Sequence, residues 1–420
     1  MNKSYCLDQN KLETNAMIDK EIDFGNPSLY KLIGDKYFLV YDSNDAYGNQ
    51  IRTLKKWSRK QLIQDFSNCT GKMQEIHRYL GMTCIPENIK YSENVHGFFN
   101  GYHPLDWDRK PGPWPSIQAI IKHIFGDFYE LGLDYFQLLY QQPLQKLPIL
   151  LLISKARATG KTTFIKLLQL IFRGNMAIVP NEALNSRFNS YWSERLIVAI
   201  EEASGNKAEF TSKLKSLSTA NTIMVERKGM ECYESINFCK FLITSNDIDR
   251  PVVIEENETR FFVLDVPELT TNCYDILENA REEIPAFLDF LMNRKLSVPA
   301  AQDRLWFKPE TYRTKALEHI IRACNPSAER ELAELLLEVI ERYGETHIEY
   351  TYGELKLILS RMHSSVNNLH DIIRQKWGIV PAQGNLSYDC FPIWKDEPEK
   401  EKHKGRYYTF TKELLESKLD

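Results

Sequence analysis

The chain has 420 residues, long enough for about two or three domains. Lys and Arg number 53 against 57 Asp and Glu, a net charge of −4, so no basic field covers the chain. This excludes histone-like or tail-driven nucleic-acid binding and makes any nucleic-acid contact local. Apolar residues at 43% and charged residues at 26% supply a real core and exclude global disorder. The longest apolar run, residues 147–153, is far too short to span a bilayer. The polar first twenty residues, with Asp8, Glu13 and Asp19, lack the layout of a signal peptide. A cytoplasmic chain with no membrane partner is expected. Eight Cys without a CxxC pair signal neither a zinc finger nor a disulfide framework, and reduced, mostly buried thiols are expected.

In chain order, residues 36–41 predict a strand followed by a turn at 43–48. Residues 57–80 have helical spacing in two pieces broken near Gly71. Gly and Pro crowd residues 100–115 and predict a loop. Ile117, Ile120, Ile121, Ile124 and Phe125 then share one helical face, and a second helix is expected over 133–141. The centre alternates apolar strands (149–154, 176–179, 196–200, 241–244, 261–266) with a helix at 161–172, which argues for a parallel sheet covered on both faces. From Glu329 onward, Leu332, Leu335, Leu336, Val339 and Ile340 line one helix. Two further helices are expected at 352–362 and 366–377, then a charged turn at 397–406 and a strand from Tyr407. Helices followed by a two-stranded wing predict a winged-helix-like domain. The nine His show no ligand spacing.

Four signals carry chemistry. Ala158-Thr159-Gly160-Lys161-Thr162-Thr163 follows a strand and opens a helix, so its backbone N–H groups and helix dipole suit phosphate. Lys161 is placed to reach the β- and γ-phosphates, and the Thr162 hydroxyl to bind Mg²⁺. The match to GxxxxGK[ST] is incomplete: Lys155 stands at the first Gly position, and Ala158 where another Gly is common. An ordinary strand–turn–helix is the alternative. Second, Glu201 and Glu202 end an apolar strand at the edge where α/β folds bind ligands. Glu201 suits the metal role and Glu202 the base role, unless both are solvated strand-end acids. Third, Asn246 ends another strand, where an amide can bridge γ-phosphate and attacking water, or merely make a turn. Fourth, Arg260 is suited to charge developing on the γ-phosphate, or to a surface ion pair.

The order and spacing of Lys161, Glu202, Asn246 and Arg260, within 99 positions, resemble the superfamily 3 helicase core, an AAA+-related ATPase. More narrowly, they are similar to the primase-helicase proteins of phages and mobile elements, over residues 95–270. The resemblance implies an α/β fold with a P-loop AAA+-like ATPase core, residues 158–163 as Walker A, 196–202 as Walker B, 215–228 as B′ and 241–246 as motif C. The expected domains are an N-terminal α+β region (1–95), a helical lead-in (96–145), the ATPase core (146–270), a helical connector (271–328) and the winged-helix-like domain (329–420). The resemblance further implies ATP and Mg²⁺ as cofactors, a homo-oligomeric ring (a hexamer), single-stranded or forked DNA as partner, and the bacterial host cytoplasm as location.

In such proteins the B′ stretch is a hairpin whose basic tip touches the DNA backbone. Here residues 222–226 and 230–237 read as its strands and Arg227-Lys228-Gly229 as its turn, which also reads as a plain exposed turn. Lys400, Lys402, His403, Lys404 and Arg406 alternate with Glu399 and Glu401, a mixed charge that leaves DNA contact, protein docking and a solvated turn all open. Tyr407, Tyr408 and Phe410 read as core residues of the last domain. The expected function is an ATP-driven DNA helicase motor for replication of a phage, plasmid or mobile element. A nucleotide-dependent DNA-binding switch or loader that does not unwind is the alternative. With no zinc-ligand set in the sequence, priming is expected from a separate primase or polymerase.

Overall fold

A computed structural model describes residues 23–44, 50–67, 70–201, 207–228, 232–255, 257–269, 275–301, 304–324, 328–361, 369–393 and 399–419. The chain divides into two compact units, Met1–Ile320 and Ile321–Asp420.

The first unit opens with strands β1 (Tyr30–Ile33), β2 (Lys36–Asn44) and β3 (Gln50–Trp57), helix α1 (Arg59–Asp65) and strand β4 (His77–Tyr79). The sheet order is β3-β2-β1-β4, with β4 parallel to β1. The first half of the helical pattern at 57–80 forms α1, started by a capping box between Ser58 and Gln61. The second half does not. It becomes a 3₁₀ turn, Thr70–Glu75, and then β4. Ile76 and Tyr79 are buried while Leu80 is 74% exposed, so no continuous apolar stripe exists to hold a helix there, and the open edge of β1 takes the segment as a strand. The expected turn at 43–48 lies mainly outside the described residues, and Ser43 and Asn44 belong to β2. Three short strands, β5 (Met82–Thr83), β6 (Asn94–Val95) and β7 (Phe98–Asn100), pair in the order β5-β7-β6. Residues 101–114 hold no helix or strand, as their Pro and Gly content predicts.

Helix α2 (Pro115–Phe125) starts on Pro and buries all five residues of the expected face. No local side chain caps it. The Glu283 carboxylate accepts from Ser116 N at 2.9 Å and Ile117 N at 3.0 Å instead. Helix α3 (Tyr129–Gln141) follows and then the central sheet: β8 (Ile149–Ile153), α4 (Lys161–Phe172), β9 (Met176–Val179), β10 (Ile197–Glu201), α5 (Lys207–Thr219), the hairpin β11 (Thr222–Val225) and β12 (Tyr233–Ile236), β13 (Lys240–Ser245) and β14 (Phe261–Asp265). Helices α6 (Ile276–Asn293) and α7 (Lys315–Cys324) come next.

The central sheet is parallel throughout, with order β14-β8-β13-β10-β9. Leu150, Leu152, Leu242, Ala199, Ile197 and Phe262 share one core with α2, α3, α4 and α6. Leu151, Val198, Ile243 and Val263 on the opposite face are also buried. Continuous apolar runs are therefore explained by burial on two faces, each Leu or Ile contributing about 1.5–3 kcal/mol. At the N-terminal edge of this sheet, Lys240 is almost fully buried. Its Nζ donates to the carbonyls of Pro143 and, at 2.9 Å, Phe238. Burial, aided by the neighbouring Lys146 charge, lowers its pKa to about 7. Lys146 Nζ donates to the Ala220 and Asn237 carbonyls at 2.7 and 2.5 Å, tying both ends of the β11–β12 hairpin to the sheet.

The second unit contains α8 (Ala328–Tyr343), β15 (His347–Thr351), α9 (Tyr352–Arg361), a short α10 (Leu369–Asp371) running into a π turn at Ile372–Lys376, then β16 (Leu386–Cys390), β17 (Glu401–Gly405), β18 (Tyr407–Thr411) and α11 (Lys412–Glu416). β15 pairs antiparallel with β18, and β16 with β17. Part of the expected charged turn at 397–406 is thus strand β17. Its Lys402 and Lys404 face solvent, while Tyr408 and Phe410 on β18 are buried in the core of the unit. Among the described residues no helix is long and apolar enough to cross a membrane.

Candidate functional site: a polar cavity at the sheet edge

The C-terminal ends of β8, β13 and β10 open onto a cavity of about 740 Å³ lined by residues 157–163, Glu201, Thr244, Ser245, Asn246 and Leu269. The sheet order decides this grouping. β13 lies between β8 and β10, so Asn246 sits between the turn that follows β8 and the acid that ends β10. Lys161 Nζ donates to Asn246 Oδ1 at 3.1 Å and to Thr159 Oγ1 at 3.4 Å. Glu201 is exposed at the cavity wall, in register with Thr244. Glu202 lies outside the described residues.

The turn itself has an unusual backbone. Ala158 (φ +56°) and Gly160 (φ +88°) both adopt left-handed conformations. Gly takes this freely, whereas Ala is strained by roughly 1–2 kcal/mol. No side chain caps the start of α4, whose N-terminus opens at the cavity. Ser154 Oγ donates to Ala156 O at 2.9 Å, and Ser154 N to Ser245 O at 3.2 Å, which fixes the turn to β13. His123, on α2, was not among the expected site residues. Its Nε2 lies 2.9 Å from the carbonyl oxygen of Thr159, so α2 braces the turn from behind. A solitary His beside an apolar helical face carries no sequence signal for this.

Arg260 is not brought to the cavity. It precedes β14, whose Phe261 is opposite Ile149, the first residue of β8, so it lies at the other edge of the sheet. Its Nη1 donates to both oxygens of Glu258, at 2.9 and 3.0 Å, and Lys215 Nζ reaches the same carboxylate at 3.0 Å. Burial works to raise the pKa of Glu258, but these two cations and the Arg260 backbone hold it below its usual value. The Arg260 Nε is buried without an acceptor among the described residues.

The expected basic turn is built on a hairpin, β11–β12, though residues 229–231 lie outside the described part. Its two cations differ. Arg227 Nη2 is 2.5 Å from Glu194 Oε2, Tyr233 donates to Glu194 Oε1 at 2.6 Å, and Arg227 Nη1 lies 2.9 Å from Met82 Sδ. Arg227 thus anchors the hairpin to its neighbours, while Lys228 is exposed. A second link runs from the cavity. Asp247, beside Asn246, pairs with Lys207 at 2.5 Å, and Lys207 is the first residue of α5, the helix that leads into β11.

Residues 152–260, the stretch holding most of the cavity lining and the hairpin, match a family described as a family of unknown function (DUF5906). The chain is 27% identical over 278 residues to a DNA primase-polymerase of Nitratiruptor phage NrS-1. That match takes in 60% of this chain and 38% of the phage protein, so the chain spans well under half of that relative's length. An apo structure of the NrS-1 C-terminal region superposes with a TM-score of 0.55 at 19% identity, covering 86% of this chain and 88% of that one. A second apo form of the same region gives a TM-score of 0.54 at 19% identity, covering 84% of each. At this identity the likeness to the solved structures is one of fold.

Proposed function

We propose that this chain is an ATP-driven DNA helicase motor of phage or mobile-element replication, working as a homo-hexameric ring on single-stranded or forked DNA. The observation that carries the reading is the single cavity wall shared by Lys161, Thr162, Glu201 and Asn246, drawn from three adjacent parallel strands and the turn after one of them. Similarity to a phage DNA primase-polymerase supports the replication role. The parallel sheet with a P-loop-like turn supports an AAA+-type core. In the second unit, helices with an antiparallel hairpin support the winged-helix-like reading, with Lys402 and Lys404 facing outward for duplex contact.

In this mechanism the uncapped N–H groups of α4 and the turn before it hold the β- and γ-phosphates, and Lys161 adds the positive charge. The Thr162 hydroxyl and Glu201 carboxylate are hard oxygen donors on one cavity, which fits Mg²⁺. Bound there, the ion supplies charge neutralisation to the phosphates. Asn246 orients the attacking water without adding negative charge, and Glu202 takes its proton. Arg260 serves the cavity of the next subunit, because it cannot reach its own. Asp247–Lys207 passes the state of the cavity to α5 and the hairpin, where Lys228 meets the DNA backbone. Priming is left to a separate primase or polymerase.

A forked-DNA assay tests the reading. The motor unwinds the fork with ATP and not with a non-hydrolysable analogue. DNA-stimulated hydrolysis without unwinding would assign the chain to the switch-or-loader class. No stimulation of hydrolysis by DNA would remove both.

A further inference from the structure

The second unit contains a cluster that the cavity chemistry does not use. Glu354, Cys390 and His403 each bring one ligand atom to within 4.8 Å of the others. They come from three elements: Glu354 from the first turn of α9, Cys390 from the end of β16 and His403 from β17. On the β16–β17 hairpin, Tyr388 is directly opposite His403, so Cys390, two residues on, shares their face. We propose that Glu354, Cys390 and His403 bind a zinc-class divalent cation, which fastens the β16–β17 hairpin to the start of α9.

Three features carry this. The first is convergence. His403 Nδ1 lies 2.6 Å and Cys390 Sγ 3.7 Å from the same oxygen, Glu354 Oε1. With their hydrogens removed, the imidazole nitrogen and the sulfur join the carboxylate oxygen as three donor atoms within one small volume. Metal ligands of these types bind in that deprotonated form. The second is the outer shell. A ligating His usually gives its other ring nitrogen to a carboxylate, and His403 Nε2 lies 3.2 Å from Glu401 Oε2. The other oxygen of Glu354 is held by Thr351 N at 2.7 Å, Thr351 Oγ1 at 2.8 Å and Tyr388 OH at 2.7 Å. That leaves Oε1 as the ligand atom with its orientation set.

The third is donor chemistry. One thiol, one imidazole and one carboxylate suit Zn²⁺ and exclude a preference for Mg²⁺ or Ca²⁺. Tetrahedral zinc separates neighbouring N and O ligands by about 3.3 Å, so the His403–Glu354 pair needs to open by less than an ångström. Cys390 is fully buried and His403 about a quarter exposed, so the three donors lie at the rim of the core of the unit.

The test uses the full chain, stripped with a chelator and titrated with Co²⁺ as the probe. One equivalent is expected to raise a thiolate-to-cobalt band in the near ultraviolet together with tetrahedral visible bands, and Zn²⁺ to abolish both. Zinc should also raise the thermal midpoint of the wild-type chain. Cys390→Ser should lose the thiolate band and the zinc-induced rise. Glu401→Gln should weaken binding about 10–100-fold, and Cys232→Ser, at an exposed thiol on the other unit, should change nothing. A wild-type chain with neither the thiolate band nor the zinc-induced rise would show a hydrogen-bond network only. A band that survives in Cys390→Ser would place the ion elsewhere. Either result overturns the proposal, and the first does not depend on any variant folding.

Discussion

The position of Arg260 makes a quantitative prediction about assembly. Arg260 precedes the first residue of β14, the turn leading to Lys161 leaves β8 at its far end, and the two strands are paired over five residues. At about 3.3 Å per residue the two edges are roughly 16 Å apart, beyond the reach of an Arg side chain. On the proposed ring, each cavity would take Lys161 from one subunit and Arg260 from the next. The perturbation is a mixture of two inactive chains, Lys161→Ala and Arg260→Gln. Gln keeps a donor for Glu258, which is buried and retains Lys215 at 3.0 Å. An Arg finger contributes about 10³–10⁵ in rate, so each parent alone should be nearly silent. In equimolar mixed rings about one junction in four pairs an intact Lys161 with an intact Arg260, whatever the ring size. The mixture should thus regain about a quarter of the wild-type ATPase rate, read by phosphate release in samples shown to co-assemble. No recovery in such mixed rings, or a wild-type rate from Arg260→Gln alone, would refute the trans assignment.

The remaining predictions rest on single residues. Ala158→Gly should stabilise the chain by about 1 kcal/mol, because it removes a left-handed Ala, and a lower thermal midpoint would contradict the strained turn. Lys228→Ala should leave basal ATP hydrolysis intact and impair unwinding. It should also flatten the log–log salt dependence of single-strand binding by about 0.7 per lost contact, and an unchanged slope with normal unwinding would shift DNA contact to the second unit. Lys240 predicts a pH effect. Its folded pKa of about 7 lies below the ordinary 10.5, so above pH 7 the unfolded chain holds a proton that the folded chain has released. Stability should rise with pH from 7 toward 9, and the pH dependence should vanish below pH 7, where both states are protonated. Urea midpoints at pH 7, 8 and 9 measure it, and Lys240→Met should flatten the trend; an equal slope in the variant would assign it to other groups.

The parts of this molecule legible from sequence are those governed by local pattern. Helix α4 begins at Lys161 and ends at Phe172, where its periodicity starts and stops, and β9 occupies 176–179, because two-sided burial demands unbroken apolar runs. The parts that were not legible depend on residues distant in sequence. The placement of β13 between β8 and β10 is a matter of sheet order, which no local pattern encodes. Arg227 looks like half of an exposed tip, since cations beside Gly usually face water. Glu194, 33 positions earlier, instead captures it. Glu354, Cys390 and His403 have no motif spacing because a helix and two strands deliver them separately. His123 is invisible for the same reason, since its role is set by the packing of α2 behind the turn. The strand at 77–79 is placed by pairing with β1, which the spacing over 57–80 does not encode.

The cavity around Lys161 is proposed as a nucleoside-triphosphate site, and direct titration of Mg²⁺-ATP into the purified chain tests this without reference to DNA or assembly. The wild-type chain should bind one nucleotide per subunit. Lys161→Ala should weaken that binding by at least 1.5–3 kcal/mol, roughly 10- to 150-fold, the contribution of a hydrogen bond to a charged group. A wild-type chain that takes up no nucleotide, or a Lys161→Ala chain that binds it equally well, would contradict the account.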